Sequence, residues 1–286
     1  MAAVGLSLIS AVLFGTMSVT LRFALRRHRD PEVGALATAI AALVPCGAIA
    51  AVNGDWGGHV LPFLLAGLSA PGASQVLFVL AIRDAGPSRT SVLVGVAPLV
   101  SVTIAFVALG EPVRAPLVAG ALLIVLGGLA LVGERVRPET FRGIGVLFAL
   151  GATVFFATRD NVVRHFAVHS SVPPQIAACM TLIAGGTLMT AYLVAVRGPR
   201  GLGRSLRSAL VPFAPSGVLW GLSYAALFEA FYRGRVSVVS PLVATESLFG
   251  VICAALVLRR SELVGRHIWL GAALIVAGGV LIGSFR

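Results

Sequence analysis

The chain has 286 residues, of which 58% are apolar and 12% charged, with a formal net charge of +11 and a mean hydropathy of +0.98. Soluble domains run at about 45–50% apolar and about 25% charged, so this composition excludes a soluble globular domain and a disordered chain. The positive balance does not make a nucleic-acid binder either, because the arginines stand in small groups between apolar runs and form no basic stripe.

A membrane-spanning helix needs about 20 mostly apolar residues. Ten runs meet that need, at about 4–25, 32–52, 60–82, 87–109, 115–133, 143–163, 174–196, 209–231, 237–258 and 266–285. The first is expected to be a span rather than a cleaved signal, because residues 1–21 carry no Arg and the arginines follow the run. Polar punctuation such as Arg26-Arg27-His28-Arg29-Asp30-Pro31 and Asn53-Gly54-Asp55 separates the runs. The short loops make neighbouring helices antiparallel, and no run alternates with the period of two that a barrel requires. The expected fold is an all-α integral membrane protein with ten transmembrane helices, a multi-pass protein of the cell membrane.

Several chemistries are closed to it. All 22 basic residues are Arg, so there is no lysine for a phosphate-gripping P-loop or a Schiff base. Cys46, Cys179 and Cys253 lie in three different apolar runs and read as small buried hydrophobes, not as a disulfide frame or a metal site. The five His fall at loops or span ends without metal-ligand spacing, and no HExxH, GxSxG or Asp-rich metal pattern occurs. No cofactor, metal or nucleic-acid partner is expected, and no enzymatic activity.

The chain repeats. At an offset of 151, residues 110–133 lie on 261–284 with nine identities in 24 positions. Glu111 meets Glu262, Gly120-Ala121 meets Gly271-Ala272, Leu123-Ile124-Val125 meets Leu274-Ile275-Val276, and Gly127-Gly128 meets Gly278-Gly279. At an offset of 149, Gly72, Ser74, Ala81, Ser88, Ser91, Leu93, Val94 and Leu99 meet identical residues. Spans 3–5 therefore correspond to spans 8–10, and by extension 1–137 and 138–286 are two five-helix repeats. Five is odd, so the second half enters the membrane from the opposite side. The halves are expected to be inverted about an axis in the membrane plane, as in many secondary transporters. Both glycine pairs are expected at close helix contacts.

The run from Ser91 to Pro98, then Gly110-Glu111-Pro112, then Gly120 to Gly127, resembles an EamA-type half, and the second copy from Ser240-Pro241 through Ser261-Glu262 to Gly279 resembles it too. EamA-type proteins belong to the drug/metabolite transporter superfamily. The resemblance covers essentially the whole chain and implies a ten-helix secondary transporter of the inner or plasma membrane. It also implies small metabolites as cargo, often moved outward. Two features depart from the pattern. Arg260-Ser261-Glu262 replaces the more typical Gly-Glu pair, and 16 of the 22 arginines lie at loops 1, 3, 5, 7 and 9. The positive-inside rule puts those loops in the cytoplasm and both termini outside, whereas the family usually keeps both termini inside.

Ionisable groups at membrane depth are costly and invite a functional reading. Glu246, near the middle of span 9, has no Arg within a turn or two on its own helix. It can bind a cationic group or carry a proton, since a carboxyl removed from water resists ionisation and can exchange protons near neutral pH. The alternative is a protonated Glu bonded to a neighbouring Thr or Ser. Glu229 stands four residues before Arg233, which suits either an end-of-helix ion pair or a cavity role. Asp160 and Arg164 repeat that spacing near the expected end of span 6, beside Arg159 and Asn161, where a gate or carboxylate clamp competes with snorkelling of Arg164. Arg22 is also expected to snorkel. Gln75 and Tyr224 overlay in the repeat at midspan, and Trp220 precedes Tyr224 by one turn, giving either a shared site wall or plain helix packing. Trp56 and Trp269 are expected at the interface. Glu111 and Glu262, each just before a helix, are read as structural. Pro98 and Pro241 are expected to kink spans 4 and 9.

These residues point to a secondary transporter of a small polar or amphipathic metabolite, probed at Glu246, Gln75, Tyr224, Trp220, Glu229 and Asp160. Its partners are that solute, the lipid bilayer and protons as coupling ion, in a monomer or homodimer. The competing readings are a membrane-embedded enzyme and a non-transporting structural or sensory protein.

Overall fold

The computed structural model describes residues 2–53, 58–85, 93–94, 96–131, 143–258 and 266–285. Every regular element among them is helical. In chain order these are α1 (Ala2–Arg27), α2 (Pro31–Asn53), α3 (Leu61–Gly67), a kinked stretch (Leu68–Ala73), α4 (Ser74–Ala85), α5 (Ala97–Ala108), α6 (Ala115–Leu131), α7 (Ile144–His169), α8 (Pro174–Arg197), α9 (Pro199–Arg233), α10 (Val236–Val243), α11 (Glu246–Leu258) and α12 (Arg266–Phe285).

Among the described residues, six helices are long and apolar enough to cross a membrane: α1, α2, the stretch from α3 into α4, α7, α8 and α9. The runs expected as spans 4, 5, 9 and 10 contain shorter apolar helices. The apolar surface suits lipid: Val44, Val52, Val107 and Val211 are exposed by 68, 86, 82 and 81%. Apolar exposure on this scale would make a water-soluble chain aggregate, whereas acyl chains satisfy it.

Proline sets several boundaries. α2, α8 and α9 begin at Pro31, Pro174 and Pro199, where the fixed φ suits a first helical turn and the missing N–H costs no bond. Span 3 breaks at Ala70, whose φ of −143° and ψ of 123° are the extended values that the following Pro71 favours. Pro98 lies in the first turn of α5 and so opens that helix; it does not kink it. Pro241 lies inside α10, and span 9 breaks shortly after it, at Ala244-Thr245.

The main core joins α2, α8 and α9 around Phe63, Phe213, Tyr224, Phe228 and Phe231, with a smaller cluster of Leu117, Ile124, Val238, Leu242 and Ile282 tying α6 to α10 and α12. α6 and α12 run antiparallel through glycines. A Cβ on Gly278 would stand 2.5 Å from the Gly120 carbonyl oxygen, and one on Gly127 would stand 2.7 Å from that of Gly271. Only glycine lets backbones approach this closely. Gly279 differs from that expectation: its Cβ would meet nothing nearer than 3.8 Å. α2 packs on α9, and the broken third span packs on α8.

Candidate functional site

α7 carries three polar residues in a row, Arg159, Asp160 and Asn161, and each is under 10% exposed. A buried charge is tolerated only when it is paired and hydrogen-bonded, and here both conditions hold. Arg159 Nε donates to Asp160 Oδ1 at 2.8 Å. Arg159 Nη1 donates to the Tyr224 hydroxyl of α9 at 2.5 Å, and the guanidinium carbon lies 5.2 Å from the centre of the same ring. The second Asp160 oxygen accepts from Ser240 of α10 at 3.0 Å. Asn161 donates to the Ser101 carbonyl of α5 at 3.0 Å and back to Ala157 at 2.9 Å, while its buried Oδ1 accepts from no group among the described residues. One cluster thus joins α5, α7, α9 and α10.

Aromatic rings surround the Tyr224 side. Trp220 meets Tyr224 edge-on at 5.5 Å and 79°, the shared face that their spacing implies. Phe228 and Phe14 lie 5.5 and 6.2 Å from it. Glu246 opens α11, directly after the break, and is partly buried within electrostatic reach of Arg159 and Asp160. A carboxylate at a helix start lies toward the positive end of the backbone dipole. Gly15 of α1 brings the two helices together there, since a Cβ on it would stand 2.7 Å from the Glu246 carbonyl oxygen.

The other expected residues scatter. Gln75 does not join Tyr224. It lines a cavity of about 10 Å³ with Glu32, Ala35, Met189 and Tyr192, room for about one water. A shallow apolar groove of about 450 Å³ lies between α2 and α8, lined by Leu36, Ile40, Ile183 and Thr187 among others. Neither space is lined by Glu246, Tyr224 or Trp220. Glu229 pairs with Arg233, whose Nε donates at 2.6 Å, and also accepts from Gln175 at 3.1 Å.

Asp160 corrects the expected pairing. The helix runs on to His169, so Asp160 lies well inside it, and its cation is the adjacent Arg159, not Arg164. Arg164 donates to the Phe231 and Tyr232 carbonyls at 2.7 and 3.2 Å and so caps the end of α9. Ending span 6 at residue 163 hides Arg159 as the centre of the cluster; three consecutive polar residues in an apolar run are the signal that marks it. Trp56 and Glu262, like the side chains of Arg22 and Trp269, lie outside the described residues.

Two polar arrangements hold the ends. Glu111 accepts the Val236 and Ser237 N–H groups at 2.8 and 3.0 Å and the Ser237 hydroxyl at 2.5 Å, so it caps α10. At the opposite end Arg197 closes on Asp30 and, at 2.5 Å, on Glu32. Asp30, in the α1–α2 turn, also accepts the Val33 N–H at 3.2 Å. Burial opposes ionisation of Asp30, but the Arg197 bond, the Val33 N–H and the positive charges of Arg197 and His28 outweigh it and hold its carboxyl below the usual range.

A helical membrane protein with a paired charge cluster at depth is thus the class that fold and site define. The sequence model of the EamA-like transporter family matches residues 1–133 and 143–284, and the chain belongs to that family. An uncharacterized transporter of Methanothermobacter thermautotrophicus is 24% identical over 203 residues, 70% of this chain. The matched stretch spans 58% of that relative's length. A crystal structure of another protein, 18% identical, superposes with a TM-score of 0.79 over 100% of this chain and 99% of its own; at that identity the likeness concerns the fold alone.

Proposed function

We propose that this protein is a secondary active transporter of the cell membrane that exports a small polar or amphipathic metabolite by alternating access, with a proton exchanging for substrate at Glu246. The fold proposed with it is ten spans in two inverted halves, 1–137 and 138–286. The glycine contacts favour it. Gly120 and Gly127 correspond to Gly271 and Gly278 in the repeat, and the observed contacts are Gly120 with Gly278 and Gly127 with Gly271. Such reciprocity is what a two-fold relation between two copies produces. The antiparallel course of α6 and α12 favours an axis across the helices, in the membrane plane.

The observation that carries the reading is the buried Arg159–Asp160–Tyr224–Ser240 cluster beside Glu246. Arg159 and Asp160 compensate each other, so Glu246 is the carboxylate left over. In a dry site it is stable with a proton or with a cationic group beside it. The Asn161 Oδ1, without a donor among the described residues, and the Trp220–Tyr224 face offer a solute an acceptor and an apolar wall.

The test is solute flux in proteoliposomes under an imposed pH gradient, screening amines and zwitterionic metabolites. Glu246→Gln keeps shape and removes the charge; it is expected to leave the melting temperature within a few degrees and to abolish gradient-driven flux. Wild-type flux and pH profile in that variant overturn the mechanism. Absence of flux for every solute, with turnover of one of them, would favour the membrane-enzyme reading.

A further inference from the structure

α9 is longer than a bilayer needs. Its 35 residues extend about 52 Å, against about 30 Å of hydrocarbon, so three or four turns lie beyond the apolar core. One exposed face runs along it from Arg200 to Leu222. From the membrane portion outward it reads Leu222, Val218, Val211, then Arg207, Arg204 and Arg200, spaced by three, four or seven residues. The apolar members are exposed by 36, 40 and 81%, and the change from valine to arginine takes a single turn. The opposite face, with Leu202, Ala209 and Phe213, is buried.

The three arginines are unlike Arg197, which is taken by Asp30 and Glu32. None of them pairs with a carboxylate among the described residues. His28 meets Ser208 at 3.1 Å, which sets the basic last turn of α1, Arg26 and Arg27, at the same end.

We propose that this face of α9 is a binding site for an anionic phospholipid, with the acyl chains along Val211, Val218 and Leu222 and the phosphate on Arg207 and Arg204. The guanidinium fork matches phosphate oxygens in pairs. A zwitterionic headgroup brings an ammonium that the arginine cluster repels, so an anionic lipid is selected. The apolar continuation directly below the arginines fixes the source as lipid and not as a soluble phosphate. The site stands apart from the transport reading.

The experiment is thermal melting of the full-length protein in detergent–phosphatidylcholine micelles doped with phosphatidylglycerol or with soluble glycerol phosphate. Phosphatidylglycerol is expected to raise the melting temperature by several degrees and soluble glycerol phosphate to leave it unchanged. The variant Arg200→Gln/Arg204→Gln/Arg207→Gln, altered only at exposed positions, is expected to keep the melting temperature seen in phosphatidylcholine alone and to lose at least half of the rise. If that variant is poorly folded, the count of phosphatidylglycerol molecules retained by Arg204→Gln/Arg207→Gln in native mass spectrometry decides, with fewer expected than for the wild type. An equal rise or equal retention in the variants, an equal rise with soluble glycerol phosphate, or no rise in the wild type overturns the site.

Discussion

Arg159 holds Tyr224 twice, through a 2.5 Å hydrogen bond to the hydroxyl and through the face of the ring 5.2 Å from its guanidinium carbon. The arrangement fixes the side chain toward α9, leaves Nε for Asp160, and brings a cation and an anion to rest side by side among apolar helices.

Breaking that pair from one side is expected to cost more than removing it whole. Arg159→Ala leaves Asp160 buried and unpaired and is expected to destabilise by about 3–5 kcal/mol. A double variant, Arg159→Leu/Asp160→Leu, is expected to recover most of that loss. Melting temperatures of the single and double variants in one detergent measure both, and a double variant no more stable than the single contradicts the account.

The cap on α10 predicts a smaller effect. Glu111→Ala leaves the Val236 and Ser237 N–H groups without their acceptor and is expected to cost about 0.5–2 kcal/mol. Glu111→Gln keeps one acceptor but loses the charge at the helix start, and should fall between the two. Amide hydrogen exchange at residues 236–238 reports the loss locally.

The glycine seam between α6 and α12 predicts a contrast between neighbours. Gly278→Val drives side-chain atoms into the Gly120 carbonyl and is expected to cost about 1–3 kcal/mol or more by overpacking. Gly279→Ala, whose Cβ would have 3.8 Å to its nearest neighbour, is expected to be tolerated. Equal melting temperatures for both would show that the seam is loose.

Asp30 gives the pH dependence. Its carboxyl in the folded protein lies below its unfolded value, so its stabilising contribution is complete above the unfolded value, about pH 4, and is lost as pH falls through the folded one. The difference in melting temperature between wild type and Asp30→Asn is expected to be present at about pH 5 and to shrink below pH 4. Arg197→Gln removes the main opposing charge and should move that shrinkage to higher pH.

The runs that hold the six membrane-long helices, and the close contacts of Gly127 and Gly278, were legible in the sequence because each depends on local composition or on an internal match. Trp220 and Tyr224 share a face because helix spacing alone decides it. The partners of Asp160, Arg164 and Glu111 were not legible. The i, i+4 rule offers Arg164 to Asp160, but Arg164 finds two carbonyls at the end of α9, and the flexible Arg159 side chain folds back onto its neighbour. Glu111 stands four residues before α6 and caps α10 instead, 125 residues along the chain. Gln75 overlays Tyr224 in the repeat yet faces a small cavity away from it, because span 3 breaks at Ala70 just before it whereas α9 runs unbroken through Tyr224.

That cap has a mechanical consequence. Glu111 belongs to the first half of the chain and α10 to the second, so the two halves are riveted at the end of the molecule where α9 turns into α10. Prising them apart there would strand a carboxylate, two amides and a hydroxyl at once. Under the transport reading proposed above, rocking of one half on the other is expected to turn about this rivet as a pivot, with the larger sweep at the far end, where Arg197 grips Asp30 and Glu32 through partly exposed ion pairs.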